Sequence, residues 1–323
     1  MRRILGVLAA AAVLALAGCS SGTAGDAGGS TGSGSGALTV TDSTGTVHLK
    51  KPATKVVALE WSYVEDLLTL GVTPVGVADK ATYGTWVTAG PKLPASVPDV
   101  GKRAQPSLEQ IKALNPDLIV AEKSRVTANL DQLKQIAPVL VFDGYSPNDA
   151  LVTSNRDHFT QLAKAVGKQS AAAEVLKAYD QKVSKAKSAL AAAGKAGTAV
   201  TLAQGFSVNG QPVIRAYTDH AQAVQVLESI GLKNAWHGKD SDPSGFTTVG
   251  VEGLTAVSSS TLLYVAQPSD NPFTGALAGN ATWQNLGFVS GGRVRALDAG
   301  TWFWGGPDSN ELLIDQALKA LGA

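Results

Sequence analysis

Short apolar runs alternate with amphipathic stretches along most of this chain. Val56-Val57-Ala58-Leu59, Val75-Gly76-Val77, Leu118-Ile119-Val120 and Val139-Leu140-Val141 are continuous rather than alternating. Continuous apolar runs between helices predict parallel strands covered on both faces. Helices are predicted over 62–70, ahead of Gly71, and over 107–114, between Pro106 and Pro116. Two longer helical patterns follow, one over about 148–166 stopped by Gly167, the other over about 170–193 stopped by Gly194. In the second, Val175, Leu176, Tyr179, Val183 and Leu190 share a face, with Lys177, Lys182, Lys185 and Lys187 elsewhere around it. Such a helix spans on the order of 35 Å, enough to bridge two lobes; the pattern alone also fits a surface helix of one large domain. Beyond Gly194 the alternation resumes with Ala199-Val200-Thr201-Leu202, a helix over 220–230, Leu262-Leu263-Tyr264-Val265, a strand over 293–297 and a closing helix over about 309–321. The expected class is α/β, with an N-terminal lobe over 38–168, a connecting helix over 169–194 and a C-terminal lobe over 195–323.

The first residues follow a different rule. Arg2 and Arg3 precede an apolar stretch, Ile4 to Leu16, broken only by Gly6. That run is shorter than the ~20 residues of a spanning helix and ends in small residues, so it predicts a cleaved signal peptide over 1–18. Leu16-Ala17-Gly18-Cys19 resembles the lipobox of bacterial lipoproteins, which implies a diacylglyceryl group on Cys19 as the mature N-terminus. An ordinary secretory signal with a chance cysteine is the competing reading. Two acyl chains hold firmly where one is marginal. Residues 19–37 are almost wholly Ser, Gly, Thr and Ala, a composition that buries little and predicts a flexible tether.

Composition narrows the function. The chain has 323 residues and a formal net charge of +1, with both signs mixed along it, so no basic block argues for nucleic acid. Cys19 is the only cysteine, which leaves no disulfide to form. The four histidines are scattered without metal-ligand spacing. No Gly-x-Ser-x-Gly, phosphate loop or histidine cluster argues for an enzyme, and Glu60-Trp61-Ser62 lacks the glycine fingerprint of a dinucleotide site.

The halves share an echo: Pro106-Ser107-Leu108-Glu109 and Val249-Gly250-Val251-Glu252 each precede a strand, and aligning the glutamates puts Asp117 opposite Ser260. Each glutamate is also what the first turn of any helix favours. Val56-Val57-Ala58-Leu59-Glu60-Trp61 followed by Glu65-Asp66-Leu67-Leu68-Thr69-Leu70-Gly71, Gly101-Lys102-Arg103 ahead of Leu108-Glu109, Asn115-Pro116-Asp117-Leu118-Ile119, and Trp302-Phe303-Trp304-Gly305-Gly306-Pro307 together resemble the iron-siderophore solute-binding proteins of ABC importers, the ferric hydroxamate, ferric citrate and vitamin B12 type. The resemblance covers nearly the whole chain after Cys19. It implies two Rossmann-like lobes joined by one rigid helix, a ligand held between them, a monomer, and docking of Glu109 and Glu252 onto a permease dimer. It also implies that iron arrives wrapped in the siderophore, with no cofactor of the protein's own.

Ligands of open α/β sheets bind beyond the carboxyl ends of the strands. The candidates there are Trp61, Tyr83, Trp86, Arg103 and Arg125 in the first lobe, and Arg215, Tyr217, Trp236, Phe246, Trp302 and Trp304 in the second. Of the six tryptophans all but Trp283 fall in predicted loops, as a cleft wall or as packing beneath loops. An arginine fork suits the anionic oxygens of a ferric siderophore, although a lone arginine is equally a surface ion-pair partner. Arg215 with Tyr217 is the strongest pair and Arg103 the next. Arg293 and Arg295 are read as strand-face charges. The aromatic residues near Arg103 and Arg215 favour a ferric hydroxamate. Haem or a corrinoid, and a zinc or manganese ion held by histidines, are the alternatives, and His220 and His237 leave direct iron ligation open.

Overall fold

The computed structural model describes residues 38–146 and 149–323. Cys19, the leader and the tether lie outside the described residues, as does Asn148, where the first long helix was expected to begin.

The first lobe opens with a β-hairpin, β1 (Leu38–Asp42) and β2 (Gly45–Leu49). Next come β3 (Val56–Ala58), α1 (Trp61–Thr69), β4 (Gly76–Val77), α2 (Lys80–Trp86), the two-stranded β5 (Gly101–Lys102) and β6 (Gln105–Pro106), and α3 (Leu108–Ala113). The lobe closes with β7 (Leu118–Glu122), α4 (Lys123–Val126), α5 (Leu130–Lys134), β8 (Val139–Phe142) and α6 (Leu151–Ala165). All four apolar runs become strands of one parallel sheet in the order β4-β3-β7-β8. Its two faces belong to separate cores, Val56 and Val120 on one side and Val57 and Ile119 on the other, which is why the runs are apolar at every position.

The long helix α7 (Gln169–Ala192) follows, with Tyr179, Ala186 and Leu190 buried along one face. At its N-terminal end Ala172 joins the first-lobe core, while Tyr179 onward belongs to a second-lobe core, so one helix is packed into both lobes.

The second lobe comprises β9 (Ala199–Val208), β10 (Gln211–Tyr217), α8 (Gln222–Ser229), β11 (Lys233–Asn234), β12 (Phe246–Val249), a 3₁₀ helix over Val251–Val257, β13 (Thr261–Val265), α9 (Ala281–Gln284), α10 (Gly287–Ser290), β14 (Val294–Ala296) and α11 (Pro307–Leu321). Its sheet runs β12-β10-β9-β13-β14, with β11 beside β9. β11 and β13 are parallel to β9 and β14 is parallel to β13, but β10 is antiparallel to β9 and β12 to β10. The sheet is therefore mixed, where a parallel one was expected. Asn209 and Gly210 both hold positive φ, 51° and 75°, in the two-residue turn that joins β9 to β10. Asn-Gly is the strongest short hairpin signal, because both central residues of the favoured turn need φ > 0.

The echo between the lobes has a structural counterpart. Asp117 stands just ahead of β7, which pairs with β3, and Ser260 just ahead of β13, which pairs with β9. Asp117 accepts from the backbone N–H groups of Thr54 and Lys55, and the Ser260 hydroxyl meets that of Thr201 at 2.8 Å. Each ties its strand to the neighbouring one.

The lobes also meet away from α7. The Glu65 carboxylate on α1 accepts from the Ser309 N–H at 2.8 Å and from its hydroxyl at 2.6 Å, capping α11, while Thr69 donates to Asp308 at 2.7 Å. Among the described residues no helix is long and apolar enough to cross a membrane.

Candidate ligand-binding cleft

β3 and β7 lie side by side and parallel, so both end on the same edge of the first-lobe sheet. A buried carboxylate stands at each end. Glu60, separated from the end of β3 by Leu59 alone, N-caps α1 by accepting from the Trp61 N–H at 2.8 Å. It also accepts from Arg103 Nη1 at 2.7 Å and from Arg125 Nε at 2.5 Å. Glu122, the last residue of β7, accepts from the Gly144 N–H at 2.9 Å, the Ser124 N–H at 3.3 Å and the Tyr63 hydroxyl at 3.1 Å. It thereby fastens the loop that carries Tyr145 and the start of the helix that carries Arg125. Burial pushes the Glu122 carboxyl up to about 7, against the pull of those hydrogen bonds. Burial also raises the Tyr145 phenol, with Glu60 and Glu122 adding to the effect, so it stays protonated.

Arg103 arrives from the turn between β5 and β6. Its guanidinium lies 3.9 Å from the centroid of the Trp61 ring, and its Nε donates to Asp79 at 3.3 Å. Asp79 is shared with Lys102, and those partners hold its carboxyl below the ordinary value although burial opposes them.

From the other lobe comes Arg215, on β10 and paired in register with Gln204 of β9. Its Nη1 donates to Gln204 Oε1 at 3.2 Å, and its guanidinium sits over Phe206 and Phe246. Among the described residues no carboxylate forms an ion pair with it. The segment 242–246 is pinned beside it: Asp242 accepts from the Ser244 N–H at 2.9 Å, and Trp304 Nε1 donates to the Ser244 carbonyl at 3.2 Å. Gly245 is required there. Its φ is 85°, and a Cβ would stand 2.6 Å from the Ala221 backbone.

These parts enclose a cavity of about 360 Å³ lined by Arg103, Ser124, Arg125 and Tyr145 from the first lobe and Arg215, Asp242, Pro243, Ser244, Phe246, Trp302 and Trp304 from the second half of the chain. Most of the lining is polar. Of the sequence candidates, Arg103, Arg125, Arg215, Phe246, Trp302 and Trp304 are brought together here.

Five others are placed elsewhere. Trp61 opens α1 and Trp86 ends α2, so neither is in a loop. Trp61 lies beneath Arg103, with Tyr83 against its edge, and Trp86 packs on Trp302 at 6.3 Å. Tyr217 is fully buried because it shares the Arg215 face of β10 one step deeper, under Phe246, Phe303 and Trp304. Trp236 is buried in a different core and donates to Thr247 at 3.1 Å. Trp283 likewise stacks among Phe273 and Phe288 in that core. The expected aromatic wall is thus largely an internal ladder, Tyr83-Trp61-Trp302-Trp304-Tyr217, with its polar-facing side turned to the cavity only at Trp302 and Trp304.

Sequence reading missed Glu60, Glu122, Tyr145, Ser124, Asp242 and Gln204. Glu60 was in view as the first polar residue after an apolar strand, the place where α/β sites are built. Arg293 is a positioning group rather than a free charge, donating to the carbonyls of Ser258, Ser260 and Gly287. Arg295 donates to those of Gly292 and Ala320. His237 pairs with Asp219 at 2.8 Å, and no group of three or more potential metal ligands occurs among the described residues.

Residues 56–301 match the periplasmic binding protein family, from the strand that delivers Glu60 to Thr301, just before Trp302. The chain belongs to this family. Among its relatives, the iron(3+)-hydroxamate-binding protein FhuD of Escherichia coli is 30% identical over 251 residues, 78% of this chain and 81% of that protein. The Fe(3+) dicitrate-binding periplasmic protein FecB of Escherichia coli is 31% identical over 270 residues, 82% of this chain and 84% of that protein. The Fe3+-Desferal-bound siderophore-binding protein FhuD from Vibrio cholerae superposes with a TM-score of 0.75 at 30% identity, covering 84% of this chain and 98% of that one. The two-lobed α/β fold joined by a long helix is that of the periplasmic binding proteins, and these relatives are named as binding proteins for ferric chelates.

Proposed function

We propose that this periplasmic binding protein captures a ferric siderophore in the cleft between its lobes and delivers it to the permease of an ABC importer. The observation that carries the reading is the convergence of Arg103, Arg125 and Arg215 from opposite lobes on one cavity, with Tyr145 and Trp304 beside them. Guanidinium forks donate paired hydrogen bonds to hydroxamate or carboxylate oxygens, which carry negative charge around ferric iron. The relatives that bind ferric hydroxamate and ferric dicitrate support this ligand class. Iron is cargo here, its coordination sphere filled by the siderophore, and the protein needs no cofactor.

Glu109 and Glu252 are exposed, one in the first turn of α3 and the other in that of the 3₁₀ helix, each a short step along the chain from a cavity residue, Arg103 and Phe246. That placement suits docking on the permease's two subunits, where charge pairs set orientation and on-rate more than affinity. The diacylglyceryl group on Cys19 and the Ser/Gly tether hold the monomer at the outer face of the membrane, close to its permease.

The test is quenching of tryptophan fluorescence in the purified chain from Leu38 onward, with ferrioxamine, ferric citrate, ferric enterobactin, haem and cobalamin. Saturable sub-micromolar quenching by a ferric siderophore is expected. Response to haem or cobalamin alone, or to none of the five, overturns the reading.

A further inference from the structure

We infer that Glu60 is a positioning residue whose buried charge sets which ferric chelates the cleft prefers, an inference that rests on the siderophore reading for its ligand class. The Glu60 side chain is 2% exposed, whereas those of Arg103 and Arg125 are 17% and 31% exposed. The carboxylate lies behind two guanidiniums and presents them to the cavity without reaching it. It is held in turn by the backbone, through the Trp61 N–H at the start of α1. Arg103 and Arg125 come from separate elements, a β-turn and a short helix, and Glu60 is the group to which both donate.

One carboxylate therefore neutralises part of the charge of two arginines, while across the cleft Arg215 has no carboxylate partner among the described residues. In a site sheltered from water, a charge a few ångströms behind the binding surface acts on every charged ligand, whatever its shape. Glu60 lowers the positive potential of the first-lobe wall. The first-lobe wall then accepts chelates of low or positive charge that an unpaired Arg125, beside an Arg103 left with Asp79 alone, would repel.

The test pairs ferrioxamine, whose pendant amine makes it cationic, with anionic ferric dicitrate, measured by tryptophan quenching. For Glu60→Gln, the ratio of dicitrate to ferrioxamine affinity is expected to rise about tenfold. Glu60→Asp keeps the charge but shortens the reach. It is expected to weaken both ligands while leaving the ratio within about twofold of wild type. A ratio unchanged in Glu60→Gln, or moved equally by both variants, overturns the inference.

A ligand-free measurement decides the positioning separately. The Arg125 Nε–H, donated to Glu60, is expected to give a protected side-chain NMR resonance in the wild type that is lost in Glu60→Ala, which removes the acceptor, while the backbone spectrum is retained. Retention of that protected resonance overturns the inference even if neither chelate binds, whereas failure of both chelates with the resonance lost as expected overturns only the siderophore reading.

Discussion

The rings of Trp61 and Trp302 pack with centroids 5.1 Å apart and planes at 59°. Trp61 opens the first helix of the first lobe. Trp302 comes from beyond the last strand of the second, yet it belongs to the first-lobe core, while its neighbour Phe303 belongs to the second-lobe core. Successive residues are thus buried in opposite lobes, and the aromatic ladder crosses between them. Trp302→Ala is expected to cost about 3–5 kcal/mol, read as a lowered denaturation midpoint, whereas Trp302→Phe recovers most of it. A midpoint unchanged in Trp302→Ala would show that the crossing holds nothing together.

Arg215 offers a cleaner separation of binding from stability. Its guanidinium is stacked on Phe206 and Phe246 and bonded to a neutral amide, so no buried carboxylate is orphaned when it is removed. Arg215→Ala is expected to change stability by less than about 1 kcal/mol while weakening the ferric chelate roughly tenfold to a hundredfold, the loss of charge-assisted hydrogen bonds. Thermal unfolding and fluorescence titration of the same sample check both halves.

The carboxylate joint between α1 and α11 makes stability depend on pH. Burial pushes Glu65 from its ordinary 4.5 up to about 7, and Asp308 nearby adds to the rise. The folded state then holds this proton more tightly than the unfolded chain. The contribution is whole below about pH 4.5 and is lost as pH rises through 7, on the order of 3 kcal/mol. Burial also raises the neighbouring Asp66. His158, stacked on Phe142, works in the opposite sense: burial lowers it to about 4, and its contribution, present above 6.5, is lost as pH falls toward 4. Denaturant unfolding of Glu65→Gln between pH 4.5 and 7.5 is expected to give a flatter profile than the wild type; an unaltered slope would exclude Glu65 as its source.

The docking assignment predicts a dissociation of two activities. Replacing Glu109 and Glu252 together by alanine is expected to abolish siderophore-dependent iron uptake by cells and to leave chelate affinity within about twofold of wild type, since both side chains are exposed and away from the cavity. Normal uptake in the double variant would refute it.

Much of this protein was legible in its sequence because local rules decided it. Uninterrupted apolar runs placed the parallel first-lobe sheet, and the 3.6-residue periodicity between Gly167 and Gly194 placed the helix joining the lobes. Position beyond the strand ends together with residue chemistry singled out Arg103, Arg125 and Arg215. The antiparallel β9–β10 hairpin was also written there, in Asn209-Gly210, since that pair accepts the positive φ its turn needs. Tertiary structure decided the rest. Arg215 and Tyr217 are two residues apart on one strand face, yet one reaches the cavity and the other is sealed beneath Phe303 and Trp304, a matter of depth that period two cannot express. Tryptophans with similar local surroundings became a core residue, a support for an arginine or part of the cavity wall according to which lobe covered them. Above all, Glu60 acquires its place only when a turn 43 residues away and a helix 65 residues away deliver guanidiniums to it, contacts that no local pattern in the chain encodes.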